Sequence, residues 1–520
     1  MPDQHLDRRD FLRIAGTGAV AVGVAGIVGA CTGRESPPAR GGVKVVRFAM
    51  SGKATTADIA DPALSNTQHD GRLMTAVYEQ LTRYDESLKA VPWLAESWEH
   101  NEKATEWRFR LRGGVVFHDG QKLTAKDMVH SFRRVLDPET ASPGAALLAD
   151  LDPDGIDVVD DRTVRFRLRR PNGDLPLSLI IKQSYIVPDG ATAADLRRSA
   201  VGTGALRLKE FTPGEDRSVF VKNKRYWEPG LPKLETFELV SIAEPAARVA
   251  ALERGQVDII ENVPVTELDR LRSGDTRVVK QPKGDMPLIA MQTDVAPFED
   301  NRVRLALKHA LNRKGMLRLV AGGQGSVLND IPISPDLQYG LPGPARAHDV
   351  AEAKRLLADA GHPDGLDVEL AVSDVQAGFM DFATAYKAMA ADAGINVKLK
   401  VSPADAYWED VWLKVPMFVS QWIARPAESM LALLFLSESD SNETHWRRPG
   451  WEKAFAQARG SLDQTERATI FRRLQQEVVD EGGYLVPYMW STISATRADV
   501  TGWRPSGTFF ENFAAIEVRS

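Results

Sequence analysis

A chain of 520 residues is too long for one ordinary hydrophobic core, so two or more lobes are expected. With 43% hydrophobic and 26% charged residues the composition is that of a globular protein, and a formal charge of -6 speaks against nucleic-acid binding. Cys31 is the only cysteine, which excludes internal disulfides and leaves stability to packed cores.

At the N-terminus, Arg8 and Arg9 are followed by Asp10, Phe11, Leu12 and Arg13, and then by 17 uncharged residues, Ile14 to Ala30, rich in Gly and Ala. That stretch is short and weakly apolar for a membrane span. It ends Val28-Gly29-Ala30-Cys31. The paired arginines resemble a twin-arginine export signal and the ending resembles a lipobox, which implies lipidation of Cys31 as the first mature residue. The alternative for Cys31 is a buried, unmodified thiol. Thr32 to Gly42, with Pro37, Pro38, Gly41 and Gly42 and no hydrophobic period, reads as a tether. No later stretch is long and apolar enough to span a bilayer.

Val43 to Phe48 reads as the first strand, and a helix is expected through Leu73, Val77 and Leu81. Trp107 to Arg112 alternates Trp107, Phe109 and Leu111 with Arg108, Arg110 and Arg112, the period of a strand with one buried face. The arginines there and at 164 to 169 are read as solvated faces rather than an anion-binding patch. Thr124 and Asp127 have the spacing of a capping box, with Met128, Phe132, Val135 and Leu136 behind them at helical spacing. Phe237 to Val240, Pro245 to Arg254 and Val257 to Ile260 alternate strand, helix, strand. A clearer series follows: strand 366 to 372, helix 376 to 393, strand 395 to 399, helix 405 to 413, strand 417 to 420. Such sheets bind ligands beyond the carboxyl ends of their strands, and Trp422 to Pro426 stands directly after one of those ends.

Three words carry a family resemblance: Ser97-Trp98-Glu99, the run W-R-F-R-L-R-G-G-V-V-F-H-D-G from Trp107, and L-T-A-K-D-M from Leu123. They resemble the signature of the family-5 (peptide/nickel class) solute-binding proteins of ATP-driven importers, and the likeness runs over roughly residues 43 to 518. It implies an α/β, two-lobed periplasmic-binding-protein type II-like fold with an extra α+β subdomain. The implied division is signal 1–30, tether 31–42, lobe I 43–79, insert 80–199, lobe I 200–286, lobe II 287–487 and a return to lobe I over 488–520. Two crossings, near 286 and near 487, would form the hinge. His118 falls in a turn word common to the family and is read as structural. Asn442 and Trp446 are read as rim structure, and Tyr407, Trp408, Val411 and Trp412 as core.

Peptide-binding relatives commonly read W-x-A-D where this chain has Trp422-Ile423-Ala424-Arg425, and their Asp pairs with the ligand's ammonium. Arg425 cannot do so; its fork of donors suits a carboxylate or phosphate. The alternative is that Arg425 turns away to pair with Glu428. The resemblance also brings Trp490, Asn66, Glu261 and Asn262 to the cleft, and Trp422 stacks on the ligand or fills the core.

An enzyme needs a constellation, and no H-E-x-x-H, metal-type cysteine set, G-x-S-x-G or Walker loop is found. The expected function is therefore capture of an oligopeptide or a peptide-like or anionic small solute by a monomeric, lipid-anchored extracytoplasmic protein. It would hand that solute to ABC permease and ATPase subunits, with no cofactor and no metal. The rival readings are a lipid-anchored hydrolase and a sensor or chaperone of the same fold.

Overall fold

The computed structural model describes residues 45–519 apart from 273, 507 and 509. The export signal, Cys31 and the tether lie outside the described residues. All described residues fall in one compact unit.

Two large sheets and a smaller third organise that unit. The first sheet has seven strands in the order Thr276–Gln281, Thr492–Arg497, Ile259–Ile260, Val45–Met50, Thr236–Ser241, Arg217–Lys222 and Leu206–Glu210. Val45–Met50 runs parallel to both of its neighbours, and the remaining pairings are antiparallel. Phe48, Phe237, Trp503 and Phe513 form an aromatic core on one face. The helix Gln68–Val77 packs there through Leu73, Met74 and Val77. It ends at Val77 rather than running on to Leu81, because Tyr78 is extended and the Val77 carbonyl accepts from the Gly204 N–H at 2.9 Å.

The second sheet has five strands in the order Ile395–Val401, Leu366–Val372, Met417–Ile423, Asp285–Met291 and Tyr484–Leu485. The first three are mutually parallel and the last two antiparallel to their neighbours. Helix Phe379–Ala391 connects Leu366–Val372 to Ile395–Val401, as the strand-helix alternation requires. The expected helix 405 to 413 shrinks to Tyr407–Asp410. Tyr407 is held inside by bonds from its hydroxyl to Ala371 O and Val419 O, whereas Trp408 is 38% exposed and does not belong to the core.

The third sheet is antiparallel, in the order Ala95–His100, Glu106–Leu111, Thr163–Leu168, Leu151–Asp160. Trp107, Phe109 and Leu111 are buried while Arg108 and Arg110 are exposed. The helix Ala125–Leu136 opens with the Thr124–Asp127 capping box and closes this core with Met128, Phe132 and Val135. Asn442 and Trp446, expected at a rim, are interior: Asn442 bonds both Trp446 N and Trp446 O.

The chain passes from the first sheet to the second between Gln281 and Asp285; it leaves the second after Leu485, pairs as Tyr488–Trp490 with Gly325–Val327, and re-enters the first sheet between Trp490 and Thr492. These two passes touch. The Thr492 hydroxyl donates to Lys283 O at 3.0 Å, and a Cβ on Gly284 would lie 2.8 Å from Trp490 O.

Candidate ligand-binding cleft

The strand Met417–Ile423 carries the W-x-A-R segment to the end of the second sheet. Its register with Asp285–Met291 sets which side chains share a face: Trp422 stands opposite Met286, and Ile423 opposite Asp285. Trp422 therefore turns toward the second sheet's core, where its indole N–H donates to Glu443 Oε2 at 3.1 Å. Glu443 is fully buried and also accepts from Ser420 Oγ at 2.6 Å, Trp412 Nε1 at 2.6 Å and the Tyr484 hydroxyl at 2.8 Å. Burial raises its pKa against the pull of those four donors. Trp422 is half-buried, with its ring orientation fixed from behind.

Ile423 and Arg425 alternate with Trp422. Among the described residues Arg425 has no carboxylate within ion-pair distance, and its Nε is buried without a hydrogen-bond partner. Burial lowers its pKa, eased by the nearby Tyr84 hydroxyl. Glu428 is not its partner: Glu428 Oε1 lies 3.2 Å from Arg459 Nε. Lys182 of the insert feels its charge, and is pushed down to about 8 by burial, by Arg425 and by Arg72.

The first lobe supplies the acidic side. Glu261 accepts from Arg72 at 2.6 Å and from both Ser51 N and Ser51 Oγ, at 2.7 and 2.8 Å. These donors hold the Glu261 carboxyl below its ordinary pKa although burial opposes them. Glu511 pairs with the other end of the same guanidinium, and burial pushes it up to about 7. Asn262, at a φ of 50°, donates to Ser51 Oγ at 2.8 Å. Asp285 is pushed up to about 6 by burial and by the charge of Glu261.

Trp490 is half-buried beside Tyr488, with 6.2 Å between ring centroids, and lies against Gly378, where a Cβ would stand 2.8 Å from its ring. Its Nε1 is buried without a partner. Asn66 is exposed at the turn before the helix Gln68–Val77, its N–H bonded to Asp70. The Glu261–Asn262 pair is thus tied to Ser51 and Arg72, and Ile423 is drawn beside Asp285, whereas nothing links Asn66 to them. Arg72, Tyr84, Lys182, Asp285 and Glu511 were not legible as site residues, since they come from separate segments and sit in no motif. Tyr84 also lines a cavity of about 450 Å³ with Arg83, Tyr185, Phe510 and Glu511. Tyr84 and Phe510 meet edge to face there, 5.5 Å apart.

His118 accepts from Gly202 N and bonds Gly204 O through its two ring nitrogens, and burial pushes it down to about 4, a structural role. Among the described residues no three His, Cys, Asp or Glu side chains converge as a metal site, and no helix is long and apolar enough to cross a membrane.

The sequence pattern of the bacterial extracellular solute-binding proteins, family 5, matches residues 89–443, well over half of the chain. The chain belongs to that family. Among relatives, the glutathione-binding protein GsiB of Pectobacterium atrosepticum is 23% identical over 465 residues, which is 85% of this chain and 88% of that protein. Among solved structures, the ABC transporter substrate-binding protein CtaP of Listeria monocytogenes superposes with a TM-score of 0.81 at 18% identity, covering 92% of this chain and all of that one. The binding protein AgaA of A. tumefacien R10, in complex with agropinic acid, superposes at 0.74 with 25% identity, covering 92% and 99%. Family membership fixes the two-lobed, type II-like fold and the role of substrate-binding component of an ABC importer, working outside the cytoplasm. A family-5 protein binds its solute, and neither the hydrolase nor the sensor reading is favoured.

Proposed function

We propose that this family-5 protein captures a small solute bearing a carboxylate or other anionic group, peptide-like or opine-like, with Arg425 as the anchor. The observation that carries the reading is a guanidinium at the end of a central strand, without a carboxylate partner and with a buried, unbonded Nε. An uncompensated buried charge costs several kcal/mol, on the order of 3–5, and a bidentate anion offsets that cost. The names of the relatives support the class, since glutathione and agropinic acid both carry carboxylates. Trp490, Ile423 and Trp422 would shape the apolar wall, and Asn66, Glu261 and Asn262 the first-lobe side.

The hinge is proposed at 282–284 and 491, where the chain leaves the first sheet and re-enters it. A ligand favours the closed form by as much as it binds that form better than the open one. Export through the twin-arginine signal and lipidation of Cys31 would hold a monomer at the outer membrane face, beside its permease and ATPase.

Mass spectrometry of small molecules released from the purified protein, with thermal-shift screening of wild type and Arg425→Ala, tests the anchor. A stabilising shift that needs an acidic ligand and disappears in Arg425→Ala is expected. Equal binding of an anion-free peptide by both proteins would overturn it. Cys31→Ser should move the protein from the membrane to the soluble fraction, and unchanged fractionation would remove the lipid anchor.

A further inference from the structure

The first sheet has a second end, away from the cleft. The strand Val45–Met50 runs into Ser51, whose N–H and hydroxyl bond Glu261 on the cleft side. Its start lies about 20 Å from there, the length of a strand of six residues. At that far end a cavity of about 420 Å³ opens between the sheet and the His118 turn of the insert. Its lining is one-sided in charge: Arg207, Lys222, Lys224 and Arg225 stand around a single carboxylate, Glu235, and Lys222 already takes that carboxylate at 3.0 Å. Arg225 donates to His118 O at 3.0 Å, and the turn that carries it is pinned by buried Asn223, which bonds Gly204 O and Arg225 N. Arg207 and Lys224 are exposed and have no carboxylate within ion-pair distance among the described residues. Burial lowers the pKa of His118 and the charge of Arg207 lowers it further, which places that guanidinium on the cavity side.

Sheet register ties this cavity to the point where the chain enters the fold. Arg207 is opposite Val221, Val221 opposite Thr236, and Thr236 opposite Val45, in one row across four strands. Val45 is the first described residue, so the segment leading back to Cys31 joins the sheet one strand spacing, about 4.8 Å, from Thr236 of the cavity wall. About 14 residues lead from Cys31 to Val45, and a chain of that length reaches at most about 50 Å. A lipid on Cys31 therefore keeps the cavity within that distance of a bilayer surface.

We propose that this cavity is a docking site for anionic phospholipid headgroups, with the phosphodiester held by Arg207, Lys222, Lys224 and Arg225. Guanidinium forks and ammonium groups around one concavity suit the oxygens of a phosphate. Each such cation near an anionic surface strengthens attachment by about fivefold. The overall charge of -6 opposes attachment to an anionic surface, so a local site has to supply it. A protein docked in this way turns the other end of the strand, and the cleft with it, away from the bilayer and toward the solute. The proposal rests on the Cys31 anchor put forward above for its source of phosphate, and is independent of the solute in the cleft.

The test is flotation of the mature chain without its lipid, from Thr32 on, with vesicles of phosphatidylcholine alone and of phosphatidylcholine mixed with phosphatidylglycerol. All described residues form one unit, and circular dichroism establishes that each variant is folded. Expected is attachment to the mixed vesicles only, weakened by salt, with Arg207→Glu/Lys224→Glu reducing it by about tenfold or more. Lys387→Glu/Lys453→Glu, the same charge change at exposed helical positions of the second lobe, should reduce it by less than about twofold, and Arg425→Ala should leave it unchanged. Equal losses in the two double variants would show a general charge attraction and overturn the cavity as the site. Attachment to neither vesicle overturns the proposal, and so does calorimetric binding of inorganic phosphate without vesicle attachment, which would make the site one for a soluble phosphate compound. Flotation as expected while Cys31→Ser leaves fractionation unchanged supports the docking site and removes only the anchor.

Discussion

Arg467 of the helix Gln464–Glu481 reaches Asp174 of the insert, NH1 to Oδ2 at 3.2 Å. Close by, Arg459 lies between Asp150 of the insert, at 2.6 Å, and Glu428, at 3.2 Å, and its carbonyl accepts from Gly173 N at 2.7 Å. The Arg459–Glu428 pair lies within the second lobe; the other contacts join the insert to helices of the second lobe, and none touches the proposed ligand groups. Removing one should shift the equilibrium toward the open form and so raise the apparent Kd. Arg459→Ala should weaken ligand binding by roughly 5- to 30-fold, the equivalent of about 1–2 kcal/mol, and enlarge the ligand-free radius of gyration in small-angle scattering. Unchanged affinity and radius would mean that the contacts persist when the lobes part.

Stability should fall between mildly acid and neutral pH. Burial pushes Glu79, Glu428 and Glu511 up to about 7, and Asp174 and Asp285 up to about 6, from ordinary values of 4.5 and 3.8. The folded state therefore holds protons that the unfolded state has released. The stability these groups contribute is full below their unfolded pKa values and is lost as pH rises through 6 and then 7. Melting temperatures measured ligand-free should be higher at pH 5 than at pH 7.5 by roughly 2–5 °C. A melting temperature that rises over this range would show that these carboxyls are ionised and well compensated.

Much of the scaffold was legible because local pattern and tertiary burial agree in it. The alternation at Trp107 to Leu111 and the capped face of Ala125–Leu136 survive because each faces a single core. Arg425 was legible as a position, since a strand end followed by a departure from W-x-A-D points at it. Its surroundings were not. Asp285, Lys182, Arg72 and Glu511 become neighbours only through sheet register and the packing of the insert, which no local period encodes. For the same reason Asn442 and Trp446 read as rim and lie inside, and the expected helix 405 to 413 lost its second half to the turn at Leu413, where φ is 63°.

Lys308 is wholly buried, and its Nζ donates to Val479 O at 3.0 Å and Gly482 O at 2.8 Å. It caps the C-terminus of the helix Gln464–Glu481, where Arg346 also reaches Val479 O. Burial pushes the ammonium down to about 7, with Asp330 pulling up and Arg346, Arg304 and Arg313 pushing down. Between pH 7 and the ordinary value of 10.5 the unfolded chain holds the proton that the folded chain has lost, so this group's contribution to stability grows with pH. Lys308→Met leaves two carbonyls without their donor, at about 1–3 kcal/mol. Urea midpoints at pH 6.5 and 9.5 should show wild type gaining more with pH than the variant. Equal gains would mean that Lys308 stays charged throughout.

Two glycine substitutions should act in opposite directions. Gly202 lies so close to the end of the helix Gln68–Val77 that a Cβ would stand 2.1 Å from Val77 O and 2.8 Å from the Tyr78 ring. Its carbonyl accepts from His118 N at 2.9 Å, which leaves the segment little freedom to retreat. The obstacle is backbone on one side and a packed turn on the other, so Gly202→Ala should destabilise by about 1–3 kcal/mol. Gly450, inside the helix Pro449–Gly460, faces open space: a Cβ there would meet nothing within 4 Å, and Gly450→Ala should stabilise by roughly 0.5–1 kcal/mol. Paired denaturant melts measure both. A neutral Gly202→Ala would mean that the turn relaxes at no cost, and that Gly202 is not there to let backbone approach backbone.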